Sequence, residues 1–119
     1  MGHDDGIRVV RSNERQGWTT LVDPPGEIPS EGSETEAFTS PDGLFTTGLW
    51  RREPDTWSFE RAYDEVAVIL EGRADIELPD GTTLAVGPGD VLVTPNGSKG
   101  TWHIHETIVK CFAIYDATA

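Results

Sequence analysis

Tyr63-Asp64-Glu65-Val66-Ala67-Val68-Ile69-Leu70-Glu71-Gly72 and Gly87-Pro88-Gly89-Asp90-Val91-Leu92-Val93-Thr94-Pro95-Asn96-Gly97 are two apolar runs punctuated by glycine and proline. In the first, Val66, Val68 and Leu70 alternate with Ala67 and Ile69, so an extended strand here is apolar on both faces. A strand with one wet face alternates apolar with polar; two apolar faces imply an interior on one side and a covering layer on the other. The N-terminal segment and a second copy of the chain are the two candidate covers. Between the runs, Pro79-Asp80-Gly81 closes a hairpin from Arg73–Leu78 into Thr82–Val86. Gly87-Pro88-Gly89-Asp90 turns into Val91–Thr94, and Pro95-Asn96-Gly97 turns toward Gly100–His105 and Thr107–Tyr115. Leu44–Arg51 and Ala62–Leu70 complete the strands. Turn signals recur about every ten residues, the rhythm of a sandwich or small barrel. No helical periodicity persists, and the fold class is all-β.

Composition narrows the function. At 119 residues the chain supports one core. Its 13 glycines and 8 prolines favour short strands and tight turns over helices. A net charge of -12 leaves no basic footprint for nucleic acid and disfavours anionic membrane surfaces. Cys111 is the only cysteine, so no internal disulfide is possible and a reducing, cytoplasmic setting is expected. No apolar stretch approaches the ~18 residues of a membrane span. Met1–Asp5 lacks the basic-then-apolar pattern of a secretory leader. Residues 1–40 read as an N-terminal arm and 41–119 as the barrel. Within the arm, Ile7–Val10 and Thr19–Val22 read as short edge strands, and Glu27–Ser40 as an acidic, Ser/Thr-rich loop or strap.

The two opening stretches resemble the paired motifs of the cupin jelly-roll β-barrel. Glu65 stands seven residues before Gly72, as the first motif requires, and Gly89, Pro95 and Gly97 hold the spacing of the second. The histidines of both motifs are missing. Ser58 and Glu60 fall where the His-x-His pair belongs, or Phe59 and Arg61 on the shorter spacing, and Gly100 falls at the second-motif histidine. Gly48-Leu49-Trp50, Lys99-Gly100-Thr101-Trp102 and Glu106-Thr107-Ile108-Val109-Lys110 are similar to a single-domain branch containing ureidoglycine aminohydrolase and ethanolamine-utilisation cupins. Val109 and Cys111 depart from it, where arginine and histidine are usual.

Glu65 is the strongest candidate, because a carboxylate in an apolar strand is costly unless it is paired, metal-bound or neutralised. Alternation puts Tyr63, Glu65, Ala67 and Ile69 on one face, which the resemblance makes the cavity. It either meets a ligand or pairs with Lys99, Lys110 or Tyr63 to fix the barrel. Trp102, two residues past Gly100, is either core filling or a wall for a flat ligand; Trp50 and Trp57 are similar cases. His103 and His105 share a face, but the inward parity of Gly100, Trp102 and Ile104 sends them outward. Lys99 and Lys110 could hold a carboxylate, act as bases or form ion pairs. Cys111 reads as a buried small apolar group.

The expected function is a small-molecule-binding cupin with a degenerate metal site and no cofactor. Its ligand would be held by Trp50, Tyr63, Glu65, Lys99, Trp102 and Lys110. The alternative is a metal-dependent enzyme of a small ureide- or amino-acid-like metabolite, its metal on Glu65 with unusual partners drawn from Glu60, His103 and His105. A homodimer is expected, since strands apolar on both faces present more surface than one chain covers.

Overall fold

The computed structural model describes residues 8–11, 13, 18–20 and 32–117. Among the described residues there is no helix, and none therefore is long and apolar enough to cross a membrane. The strands are β1 Thr19–Thr20, β2 Ser33–Thr39, β3 Phe45–Arg52, β4 Thr56–Glu60, β5 Asp64–Glu77, β6 Thr83–Val86, β7 Val91–Thr94 and β8 Lys99–Tyr115. They pair antiparallel in the order β1-β2-β3-β8-β5-β6, with β4 on β8 and β7 on β5.

Two long strands organise the molecule. β5 and β8 pair from Asp64↔Tyr115 to Glu77↔Thr101. One end of β8 also pairs with β3 and the other with β4. One end of β5 also pairs with β7 and the other with β6. Both strands therefore serve two sheets, the arrangement of a jelly-roll barrel. The changeover lies at a run of register shifts between Ile69 and Ala74. Gly72 sits inside it with φ 91, and a Cβ there would stand 2.1 Å from the Thr107 carbonyl oxygen. Only glycine satisfies both the left-handed backbone and that approach, so the last residue of the first motif is the residue that permits the bend.

Ala67, Ile69, Ala74, Ile76, Trp102, Ile104, Ile108 and Phe112 form the core, with Leu92 and Val86 closing it. The parity read from sequence holds: Glu65, Ala67 and Ile69 are buried while Val66, Val68 and Leu70 are exposed.

Three differences from the sequence expectation affect the site. Arg73–Leu78 continues Ala62–Leu70 as one strand, because the bulge absorbs Gly72 without ending the pairing. Thr56–Glu60, not foreseen, is a strand pairing with β8. Ser33–Thr39, expected to be loop or strap, is a strand hydrogen-bonded to β3, and it brings Glu34 opposite Trp50. Backbone pairing supplies there the stabilisation that its polar side chains do not.

Of the expected edge strands, Thr19–Thr20 forms β1, whereas residues 8–10 are not a strand. Ile7, Leu21, Val22 and residues 27–31 lie outside the described residues. Arg8 donates from its guanidinium to the Ala37 carbonyl (Nε–O 2.7 Å), and Arg8 and Val10 lie beside Leu49 and Cys111 on the outer face. Part of that face is thus covered by the N-terminal segment. Farther along, Val66 and Val68 of β5 stand beside Val93 and Val91 of β7, all four exposed.

Candidate functional site: the barrel cavity

A cavity of about 210 Å³ opens inside the barrel, and its wall is charged on one side and aromatic on the other. Inward alternation of β3 delivers Trp50 and Arg52, β8 delivers Trp102, Lys110 and Phe112, and Glu34 comes from β2. Trp57 of β4 stacks on Trp102 with ring centroids 5.7 Å apart and planes 5° from parallel. Trp50 is tilted against both, at 6.0 Å from each.

The charged side centres on Glu65, which is 4% exposed. Lys110 Nζ donates to its Oε2 at 2.6 Å, and Arg61 Nη2 lies 3.7 Å from its Oε1. Lys110 also faces the Trp50 and Trp102 rings, 4.6 and 5.4 Å from their centroids. Burial pushes the lysine pKa below its ordinary range, aided by the Arg61 charge and opposed by Glu65. Arg61 is fixed by a hydrogen bond from Nε to Thr94 Oγ1 (3.1 Å) and by the Phe59 ring, 4.5 Å from its guanidinium carbon. Burial raises the Tyr63 phenol pKa. Arg52 pairs with Asp55 (Nη2–Oδ2 2.7 Å) and lies 3.7 Å above the Trp57 ring. Among the described residues its buried Nε has no hydrogen-bond partner.

Glu34 adds a second carboxyl to the cavity lining. Burial raises its carboxyl pKa, with Glu36 and Glu65 adding to the effect and Lys110 opposing it. The ionised form is therefore less favourable folded than unfolded. Stability contributed at this position falls as pH climbs from the ordinary glutamate value through the raised folded one. Glu34→Gln is expected to remove that decline and to stabilise the protein at neutral pH. Denaturant melts of both proteins across the acidic range check this; parallel curves would show that Glu34 ionises without penalty.

Five of the six residues proposed from sequence meet in this cavity: Trp50, Tyr63, Glu65, Trp102 and Lys110. Lys99 does not. It lies on the outer surface, 3.7 Å from Glu60 across the β4–β8 pair, with 62% of its side chain exposed. The parity that turns Gly100 and Trp102 inward turns Lys99 outward. His103 and His105 also face outward, bonded at 2.9 Å to Glu77 and Asp75. Cys111, expected to be buried, is partly exposed on the outer face. Sequence reasoning did not reach Glu34, Arg52 and Arg61.

The barrel resolves which residues stand at the family's histidine positions. Trp57 pairs with Trp102 and Phe59 with Gly100, and Phe59 packs against the core while Arg61 lines the cavity, so these two, rather than Ser58 and Glu60, face inward. A Cβ on Gly100 would lie 3.0 Å from the Phe59 ring and 3.2 Å from the Glu77 carbonyl oxygen. The ring thus occupies the space of a fourth ligand. With Phe59, Arg61 and Gly100 at the histidine positions, Glu65 is left facing two cations, Lys110 and Arg61, and this set does not fit a transition metal. Among the described residues no three His, Cys, Asp or Glu side chains come together to hold one.

Comparison with known proteins agrees with this architecture. No match was found among curated proteins. The EutQ protein of Clostridium difficile superposes with a TM-score of 0.65 at 21% identity, covering 76% of this chain and 71% of that one. A Rhizobium leguminosarum protein of unknown function gives 0.62 at 26% identity, covering 73% and 83%. A DUF861-family protein of Pseudomonas syringae gives 0.75 at 19% identity over 88% of this chain and 46% of that one. The sequence profile of the EutQ-like cupin domain matches residues 39–112, more than half the chain. From the strand that carries Trp50 to the strand that carries Lys110, this chain belongs to the EutQ-like cupin family.

Proposed function

We propose that the chain binds a small polar molecule in the barrel cavity without the metal that cupins commonly carry. The observation behind this reading is Arg52, a residue of the cavity lining whose buried Nε–H has no acceptor among the described residues. A buried donor left unsatisfied costs about 1–3 kcal/mol, so a site that retains one calls for an acceptor from outside the chain. Arg61 and Tyr63 line the same space, and the tryptophans offer a flat apolar wall. The volume suits a molecule of roughly ten heavy atoms or fewer.

The test is a calorimetric screen of small polar metabolites, run with and without a chelator. A ligand should bind equally in both conditions and lose affinity in Arg52→Met. Binding that disappears on chelation and returns with one equivalent of manganese, iron, zinc or nickel would instead support a metal-dependent enzyme of ureide- or amino-acid-like substrates.

We also infer that a second copy covers the Val66, Val68, Val91 and Val93 stripe. On a chain of net charge -12, copies repel over most of their surface, and an uncharged apolar stripe is where they can meet without opposing like charges. Light scattering at micromolar concentration should give the dimer mass, and Val93→Glu should give the monomer. A monomeric parent would refute this.

A further inference from the structure

We propose that Lys110 captures a small aldehyde or ketone in this cavity as a covalent imine. The inference deepens the ligand-binding reading, because it assigns the ligand's reactive group.

The chain has two lysines, and they are placed oppositely. Lys99 is on the surface, whereas Lys110 is 5% exposed and lies on the cavity wall. A lysine becomes a nucleophile when it is desolvated and an adjacent base can take its proton. Trp50 and Trp102 exclude water from its ammonium, and Glu65 Oε2 at 2.6 Å is its hydrogen-bond acceptor. The other charged groups facing Lys110 are Arg61, beside the second oxygen of Glu65, and Glu34 from β2. Arg61 disfavours a second cation at Lys110, which favours release of the proton.

The step balances without an oxidant or a reductant. Lys110 passes one proton to Glu65, and its nitrogen lone pair attacks the carbonyl carbon. The π pair moves to oxygen, which takes a proton from the now cationic nitrogen, so that a neutral carbinolamine forms and the nitrogen regains its lone pair. Protonation of that hydroxyl lets it leave as water while the nitrogen lone pair forms the C=N bond. Ammonium and carbonyl thus give protonated imine and water, with no net change in protons. Glu34 lines the same cavity as Lys110 and is the second carboxyl placed to exchange a proton with the departing hydroxyl, its pKa raised by burial and by its acidic neighbours. The aromatic wall receives the body of the aldehyde.

The test is reductive trapping of the full-length protein with propanal and cyanoborohydride near neutral pH, followed by peptide mapping. Lys99 and the N-terminal amine serve as internal comparators. Lys110 should acquire a propyl group at least about tenfold faster than Lys99, and urea should abolish that preference. Glu34→Gln should slow labelling of Lys110 alone while leaving the melting transition cooperative. Labelling of Lys99 and the terminus with Lys110 untouched would overturn the proposal, and so would a Lys110 preference that survives unfolding. If Lys110 is untouched while the calorimetric screen still finds a ligand, the imine is excluded and the binding site stands.

Discussion

Glu65→Gln is expected to destabilise the protein by about 3–5 kcal/mol, as measured by denaturant melts at pH 7. The side chain is 4% exposed, within 2.6 Å of Lys110 Nζ and 3.7 Å of Arg61 Nη2. Glutamine preserves the volume but leaves two buried cations without a counter-charge. Lys110→Met should cost less, because Glu65 keeps Arg61 as its partner. The double variant should recover part of the loss, because it leaves Arg61 as the only cation beside the neutral amide. From sequence, a carboxylate serving only a ligand would tolerate neutralisation with little change in melting temperature. The lysine contact favours the pairing alternative, and an unshifted midpoint for Glu65→Gln would show that the pair contributes nothing to the fold.

Trp102→Ala should be comparably damaging, at about 3–5 kcal/mol for the lost volume, with roughly 0.5–1.5 kcal/mol more for the aromatic pairs. Trp102 is 1% exposed and touches both Trp50 and Trp57. Truncation would join its space to the existing cavity, so the surrounding strands could not collapse onto it cheaply. Trp102→Phe keeps most of the packing and should cost well under half as much. Guanidinium melts with an unchanged slope decide the point; a loss below about 1 kcal/mol for the alanine variant would mean that the cluster repacks.

Much of this site could be read before any coordinates, and the rest has physical reasons for being hidden. Alternation along Tyr63–Ile69 placed Glu65 in the cavity, and the Gly100–Trp102–Ile104 parity placed Trp102 in the core and the histidines outside. The same parity, applied one residue earlier, excludes Lys99. Arg61 was obscured by a choice between two motif spacings that differ by one residue, and one residue changes the face of a strand. The alternation of Thr56, Ser58 and Glu60 with Trp57, Phe59 and Arg61 carried the answer. Glu34 had no comparable signal. Residues 33–36 of β2 are polar on both faces, and the strand is held by backbone hydrogen bonds to β3, which composition does not report.

The two strands shared between sheets also set an order of events during synthesis. β8 is the hub, bonded to β3, β4 and β5, and it follows every strand it pairs with. Phe45 meets Tyr115 and Asp64 meets the same residue, so closure depends on contacts far apart in sequence. Barrels dominated by such contacts fold on roughly the millisecond-to-second scale. On the ribosome the β2–β3, β5–β6 and β5–β7 pairs can form early, but the β8 edge of β5 waits unpaired until Tyr115 has emerged. The architecture that encloses the cavity therefore leaves the nascent chain with an open strand edge, the kind that pairs with other chains, until that strand arrives.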